Sequence, residues 1–230
     1  MREFGKTDKS VTFGFGSDRC QLQFDQKPVT SIAPGPNDFY WKIGITLRDL
    51  DAAVSFLRDQ GLAVSDPVQF RDIGYMSKIF DPKGFTIELL QQGFKGHEKQ
   101  LAHGHPVGSQ AILAHITLRV TDLAAAKYFF EDGLGMRLMS VQPVREHGFC
   151  LYFYSWSDVT LPDPDLEAIE NREWLWSRPY TFIELQHLEN TSTPPLKTSA
   201  DMSGFDGFSI AGEEPGKLTF ISRQELQKLV

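Results

Sequence analysis

Lys42-Ile-Gly-Ile-Thr-Leu-Arg-Asp-Leu-Asp-Ala-Ala-Val-Ser-Phe56 and His115-Ile-Thr-Leu-Arg-Val-Thr-Asp-Leu-Ala-Ala-Ala-Lys-Tyr-Phe129 align without a gap at a constant offset of 73. Ile43/Ile116, Asp49/Asp122, Leu50/Leu123, Ala52/Ala125, Ala53/Ala126 and Phe56/Phe129 are identical pairs. A second anchor follows in each copy. Phe85-Thr-Ile-Glu-Leu-Leu90 matches Thr181-Phe-Ile-Glu-Leu-Gln186 at an offset of 96, with Ile87/Ile183, Glu88/Glu184 and Leu89/Leu185 identical. The chain therefore carries one unit written twice, and the second copy holds about 23 extra residues between the anchors.

Each copy reads as strand, helix, then three strands. The opening strands are expected at 42–48 and 115–120, where apolar residues recur at period two. Asp49 and Asp122 follow as N-caps, because a carboxylate can accept the unpaired N–H groups of a first helical turn. The helices are expected over Leu50 to Asp59 and Leu123 to Glu131, ended by Gly61 and Gly133. Strands near 65–72, 75–80 and 85–90 complete the first copy, and strands near 136–144, 149–156 and 180–188 the second. The additional residues lie at 157–178, an acidic, Pro-containing segment ending in Trp174 and Trp176. It reads either as a surface excursion or as a lid over a pocket. One such unit leaves a face of its sheet bare, so the fold class expected is α+β, with paired βαβββ modules forming curled mixed sheets around a cup.

Alternation along the strands sorts side chains by face. Ile116, Leu118 and Val120 share the helix side with Ile183 and Leu185, which leaves His115, Thr117 and Arg119 with Phe182, Glu184 and Gln186 on the concave side. By the same parity Lys42, Gly44, Thr46 and Arg48 face the cup with Glu88. Charges on a covered sheet face are costly unless paired, solvated or bound to an ion, so carboxylates at equivalent repeat positions call for a role.

This duplicated strand–helix–three-strand unit, with His opening a first strand and Glu in a last one, resembles the vicinal oxygen chelate superfamily, which includes glyoxalase I, bleomycin-resistance proteins and extradiol dioxygenases. Asp81-Pro-Lys-Gly-Phe-Thr-Ile-Glu-Leu89 resembles the closing hairpin of that family, and Asp122 through Met136 its helix and turn. The resemblance covers roughly 42–90 and 111–188. It implies one divalent ion (Zn, Ni, Mn or Fe) held by His115, Glu184 and Glu88, with Glu88 or Glu184 moving a proton in lyase or isomerase chemistry on a small oxygenated molecule. Lys42 departs from the pattern, since an ammonium stands at the fourth ligand position. A Lys42–Glu88 ion pair beside a His115–Glu184 pair is the metal-free alternative, with the chain then a ligand-sequestering protein of the bleomycin-resistance type. An extradiol dioxygenase would need two His and a carboxylate, and only His115 is in register. Residues expected to contact a ligand are Lys42, Arg119, Tyr152, Tyr154, Trp156, Trp174 and Trp176.

Taken as domains, the expected division is a partial module at 1–30, modules at 38–92 and 110–190, and a partial module at 200–230. The segment from Val11 to Phe24 reads as the last two strands of a module and Gly204 to Ile210 as an opening strand. Either the chain is a segment of a longer array, or these ends cover each other in the chain or across a homodimer. Thirty acidic against 23 basic residues, net −7, leave no basic excess for nucleic acid. No window approaches ~18 consecutive apolar residues, so no membrane span is expected, and two distant cysteines fit a reducing, cytoplasmic setting. The partner expected is a small molecule.

Overall fold

The computed structural model describes residues 1–26, 35–97, 104–108, 110–189, 196, 205–211 and 218–229. Most of the linker expected over 26–38, much of that over 91–111, and Gly204 lie outside them.

The chain opens with an antiparallel three-stranded sheet of β1 (Arg2–Lys6), β2 (Ser10–Gly14) and β3 (Gln21–Asp25). The first repeat copy follows as β4 (Tyr40–Leu47), α1 (Leu50–Asp59), β5 (Val68–Phe70), β6 (Gly74–Phe80) and β7 (Thr86–Gln91). The second comprises β8 (Ile112–Val120), α2 (Leu123–Lys127), β9 (Arg137–Val144), β10 (Phe149–Ser155), α3 (Ile169–Trp176) and β11 (Phe182–Leu188). The hairpin of β12 (Gly207–Ala211) and β13 (Leu218–Ser222) and the short α4 (Arg223–Leu226) come last.

The two copies build one continuous, strongly curled eight-stranded mixed sheet in the order β5-β6-β7-β4-β8-β11-β10-β9, a half-barrel rather than two sheets side by side. Within each copy the first and last strands run parallel, β4 with β7 and β8 with β11. The seam between copies is the antiparallel pair β4–β8, where Lys42 lies opposite Thr117, Ile43 opposite Ile116 and Gly44 opposite His115. Because the repeat offset also equates 42 with 115 and 44 with 117, a pseudo-two-fold axis passes through the Ile43–Ile116 pair. The copies thus pair within the chain.

Local chemistry explains the helices. Asp49 accepts the Ala52 N–H at 3.1 Å and Asp122 the Ala125 N–H at 2.9 Å, each satisfying an N-terminal donor. The first helix then buries Leu50, Ala53 and Val54 against its sheet and ends before Gly61, whose φ of 80° suits the left-handed region. The second differs from expectation. After Lys127 it widens into a π-helical turn over Tyr128–Gly133, and Gly135, at φ 63°, takes the left-handed position rather than Gly133. The wider turn carries Phe130 into the core, where its ring stacks on Tyr154 at 5.6 Å.

Three apolar clusters result. Residues around α1, including Val54, Tyr75 and Leu89, form one, joined by Phe15 and Leu22 of the N-terminal segment. Those around α2 form another, with Leu118, Phe130 and Leu185, joined by Phe205, Ile221 and Leu226 of the C-terminal segment. The N-terminal piece thus joins the α1 cluster and the C-terminal piece the α2 cluster, where Phe205 also stacks on Tyr40 of the first module. The third cluster fills the cup with Met139, Leu151, Phe153, Trp176 and Phe182. Among the described residues no helix is long and apolar enough to cross a membrane.

Asp49→Ala and Asp122→Ala are each expected to lower unfolding free energy by about 1 kcal/mol, measured by urea titration with an unchanged m-value.

Candidate functional site

Residues directly opposite on paired strands share a face, so the seam fixes what meets in the cup. One row across β7, β4, β8 and β11 runs Glu88, Gly44, His115, Phe182; the symmetry-related row runs Thr86, Lys42, Thr117, Glu184. The polar side chains expected on the concave face do converge, and Lys42, Glu88, His115 and Glu184 are each at most 4% exposed.

Lys42 Nζ donates to Glu88 Oε2 at 2.6 Å and stands 3.7 Å from Glu184 Oε1, an ion pair too long for a hydrogen bond. The Thr117 hydroxyl donates to Glu184 Oε2 at 2.9 Å. His115 Nε2 lies 3.1 Å from the same oxygen and 3.5 Å from Glu88 Oε2, off the line of a hydrogen bond in both cases. Room for the imidazole comes from Gly44: a Cβ there would overlap the His115 ring. Burial works against the Lys42 ammonium, yet Glu184 and Glu88 together outweigh it and hold its pKa above the ordinary lysine value. Burial likewise pushes the Glu88 carboxyl up, but the Lys42 ammonium and then His115 prevail and hold it well below the usual carboxylate range.

These residues do not fit the divalent ion that the resemblance implies. The ammonium of Lys42 stands between the two carboxylates, and a second cation among them would meet its charge at close range in a low-dielectric setting. Among the described residues no group of three or more His, Cys, Asp or Glu side chains is arranged to hold a metal.

Above this floor lies a cavity of about 260 Å³, walled by Trp41, Phe149, Leu151, Phe153, Trp176 and Met76, with Lys78 and His147 also in its lining. Of the rings expected to contact a ligand, Trp176 does line it. Its indole N–H donates to the Ile73 carbonyl at 2.7 Å, and its ring packs 5.5 Å from Phe153. Trp174, two positions earlier, packs at the margin of the same cluster beneath the Arg178 guanidinium, 4.4 Å from its ring.

Tyr152, Tyr154 and Trp156 lie elsewhere. Phe153 is opposite Glu184 and Leu151 opposite Gln186, so these neighbours take the cup side and the tyrosines the helix side. There Tyr154 donates to Glu131 at 2.9 Å, while the half-exposed Trp156 donates to the Leu134 carbonyl at 2.7 Å. Arg119 shares the concave parity but acts as a clamp. It bonds Gln186 at 2.9 Å and the Asp38 carbonyl at 2.9 Å, and burial, opposed by Asp38, brings its pKa down to about 10.

Strand parity missed Trp41, Phe149, Leu151, Phe153 and Lys78. Trp41 reaches the cavity because the β4–β8 register shifts between Tyr40 and Lys42, and such a bulge re-aims a side chain without any sequence signature. Phe149, Leu151 and Phe153 follow from the strand β10 pairing with β11.

The insertion closes one side. Its helix α3 is tied to the first module by an Arg172–Asp72 ion pair at 2.7 Å and by Glu173 accepting the Phe94 N–H at 2.7 Å. Within the insertion the fully buried Asn171 holds the preceding loop, donating to the Asp163 and Asp165 carbonyls.

This architecture is the vicinal oxygen chelate fold. The chain is similar to glyoxalase I from Zea mays, with a TM-score of 0.54, 16% identity, and 83% of this chain and 59% of that chain covered. A variant of the same maize enzyme gives a TM-score of 0.53 at 18% identity, covering 79% of this chain and 55% of that one. The chain thus spans less than two thirds of the length of these solved structures, and at such identities the likeness is one of fold. No family model and no curated protein matches the sequence.

Removing one member of a buried pair strands the other, so Lys42→Met is expected to lose about 3–5 kcal/mol of stability, and Lys42→Met/Glu88→Leu to recover a large part. The Glu88 contribution is fully present above the unfolded carboxyl value of 4.5 and falls as pH drops through the lowered folded value; that of Lys42 is fully present below 10.5 and falls as pH rises past it. In Lys42→Met burial is left to raise the Glu88 pKa, so the stability gap between wild type and variant, followed by urea unfolding, should be widest on the alkaline side of neutrality and shrink steadily toward acid as the variant's Glu88 takes up a proton. Gly44→Ala should cost about 1–3 kcal/mol or more by overpacking against His115.

Proposed function

We propose that the protein is a metal-free binding protein for a small ring-bearing molecule, received in the aromatic cup over the Lys42–Glu88–Glu184 floor. The observation that carries this reading is the ammonium of Lys42 at 2.6 Å from Glu88 and 3.7 Å from Glu184. It pairs with Glu88, stands beside Glu184 and takes the position between the carboxylates that a divalent ion would need. What is left for a ligand is a concave, largely apolar cavity with a few convergent polar groups, the usual make-up of a small-molecule site. Flat aromatic walls favour flat ligands through offset and edge-to-face contacts.

Lyase or isomerase chemistry of the glyoxalase type is disfavoured on the same observation, because its proton transfer leans on an ion that this floor does not accommodate. A dioxygenase is disfavoured further, since His115 is the sole imidazole in the four-residue floor cluster.

The test is twofold. Protein purified without chelator should contain less than about a tenth of an equivalent of any transition metal, and Zn²⁺, Ni²⁺, Mn²⁺ or Fe²⁺ should leave its melting temperature unchanged. Mono- and bicyclic aromatic compounds should raise that temperature, with stabilisation near 2.7 kcal/mol at a hundredfold excess over Kd, and should quench the fluorescence of Trp41 and Trp176. Stoichiometric metal, or a panel in which no aromatic compound stabilises the protein, would overturn the reading.

A further inference from the structure

We infer that the cup is built for a ring-bearing molecule carrying a hydroxyl group, with that hydroxyl bridging Lys42 Nζ and Glu184 Oε1. This rests on the proposed reading of the cup as a ligand pocket. Lys42 Nζ has three hydrogens. One goes to Glu88 Oε2 at 2.6 Å, and the Trp41 ring covers another side of the ammonium at 4.6 Å. Glu184 is equally lopsided. Its Oε2 accepts from Thr117 and abuts His115, whereas Oε1 is buried and has no hydrogen-bond partner among the described residues. A donor and an acceptor, both on residues lining the cavity, thus face each other across 3.7 Å, a gap too wide to close directly.

A buried carboxylate oxygen without a donor is costly, so a group that fills the gap is favoured. An oxygen about 2.8 Å from each atom closes the triangle with an angle of roughly 80°, accepting from Nζ and donating to Oε1. Few groups can do both. A carboxylate only accepts here and brings a third negative charge beside Glu88 and Glu184. An ammonium only donates and faces Lys42. A neutral hydroxyl does both without adding charge. The rings of Trp41, Phe149, Phe153 and Trp176 wall the space above, and 260 Å³ is enough for a bicyclic aromatic.

The experiment is a matched binding series by isothermal titration and thermal shift: 2-naphthol, 2-methylnaphthalene and 2-naphthoate against the wild-type chain. The expected result is a Kd for 2-naphthol at least tenfold below those of the other two. In Glu184→Gln, which weakens the acceptor, the advantage of 2-naphthol over 2-methylnaphthalene should fall to within threefold. Equal binding of naphthol and methylnaphthalene to the wild type overturns the hydroxyl bridge and leaves the apolar pocket standing. Tightest binding by naphthoate overturns it in favour of an anion site. A wild-type chain that binds none of the three, nor any other aromatic compound, removes the pocket reading itself, and the wild-type series decides the matter even where the variant does not fold.

Discussion

The antiparallel pairing of β4 with β8 about the Ile43–Ile116 pair is the constraint from which the site follows. A duplicated unit can place equivalent residues far apart or bring them together, and the register decides which. Here the repeat offset and the strand register share one two-fold, so the opening and closing strands of both copies meet at the axis. Residues 42 and 115, and Glu88 and Glu184, are then forced onto one small patch of a single concave face. Ile43/Ile116 and Glu88/Glu184 keep the symmetry in their side chains, and two other pairs break it. Lys42 answers to His115, and Gly44 to Thr117. The missing side chain at 44 gives the imidazole its space, while the hydroxyl at 117 holds Glu184 in place.

That divergence settles the electrostatics. Two carboxylates buried to within 4% exposure are costly, and an ammonium on a fixed strand offsets one of the two charges from inside the chain. An internal cation differs from a bound ion in two respects. It is part of the chain and cannot leave. It also has hydrogens to donate, so it offers a directional donor rather than an open coordination position. The chain has the architecture of the vicinal oxygen chelate fold, and the floor of its cup is held together by an ion pair and hydrogen bonds.

How much of this was legible in the residues depends on which signal each position carried. The copies, their element order and the sharing of one face by Lys42, Glu88, His115 and Glu184 all follow from self-alignment and period-two alternation, because polar residues interrupt apolar ones on those strands. Strand β10 offers no such contrast. Phe149-Cys-Leu-Tyr-Phe-Tyr154 is apolar or aromatic throughout and buried or half-buried on both faces, so its phase is set only by hydrogen bonding to β11, and Phe153 rather than Tyr152 or Tyr154 faces the cup. Trp41 was hidden by a bulge, and the left-handed turn moved from Gly133 to Gly135 because a π turn inserted itself into the helix. Each of these depends on long-range pairing that no local window contains.

The insertion breaks the remaining symmetry, and this makes the cup a single site rather than two related ones. Only the second copy carries it, yet its helix is fastened to the first, through Arg172 on Asp72, Glu173 on the Phe94 amide and Trp176 on the Ile73 carbonyl. These contacts pin the two copies across the cup, so side chains as well as strand pairing join them. Trp176 is at once a strut and a wall: the hydrogen bond that anchors it also sets its ring 5.9 Å from that of His115. The cavity is therefore bounded on one side by a ring whose position is decided by the other module. Shape in the cup and cohesion between the repeats are consequently one property of the fold, and a change that loosens the insertion alters both together.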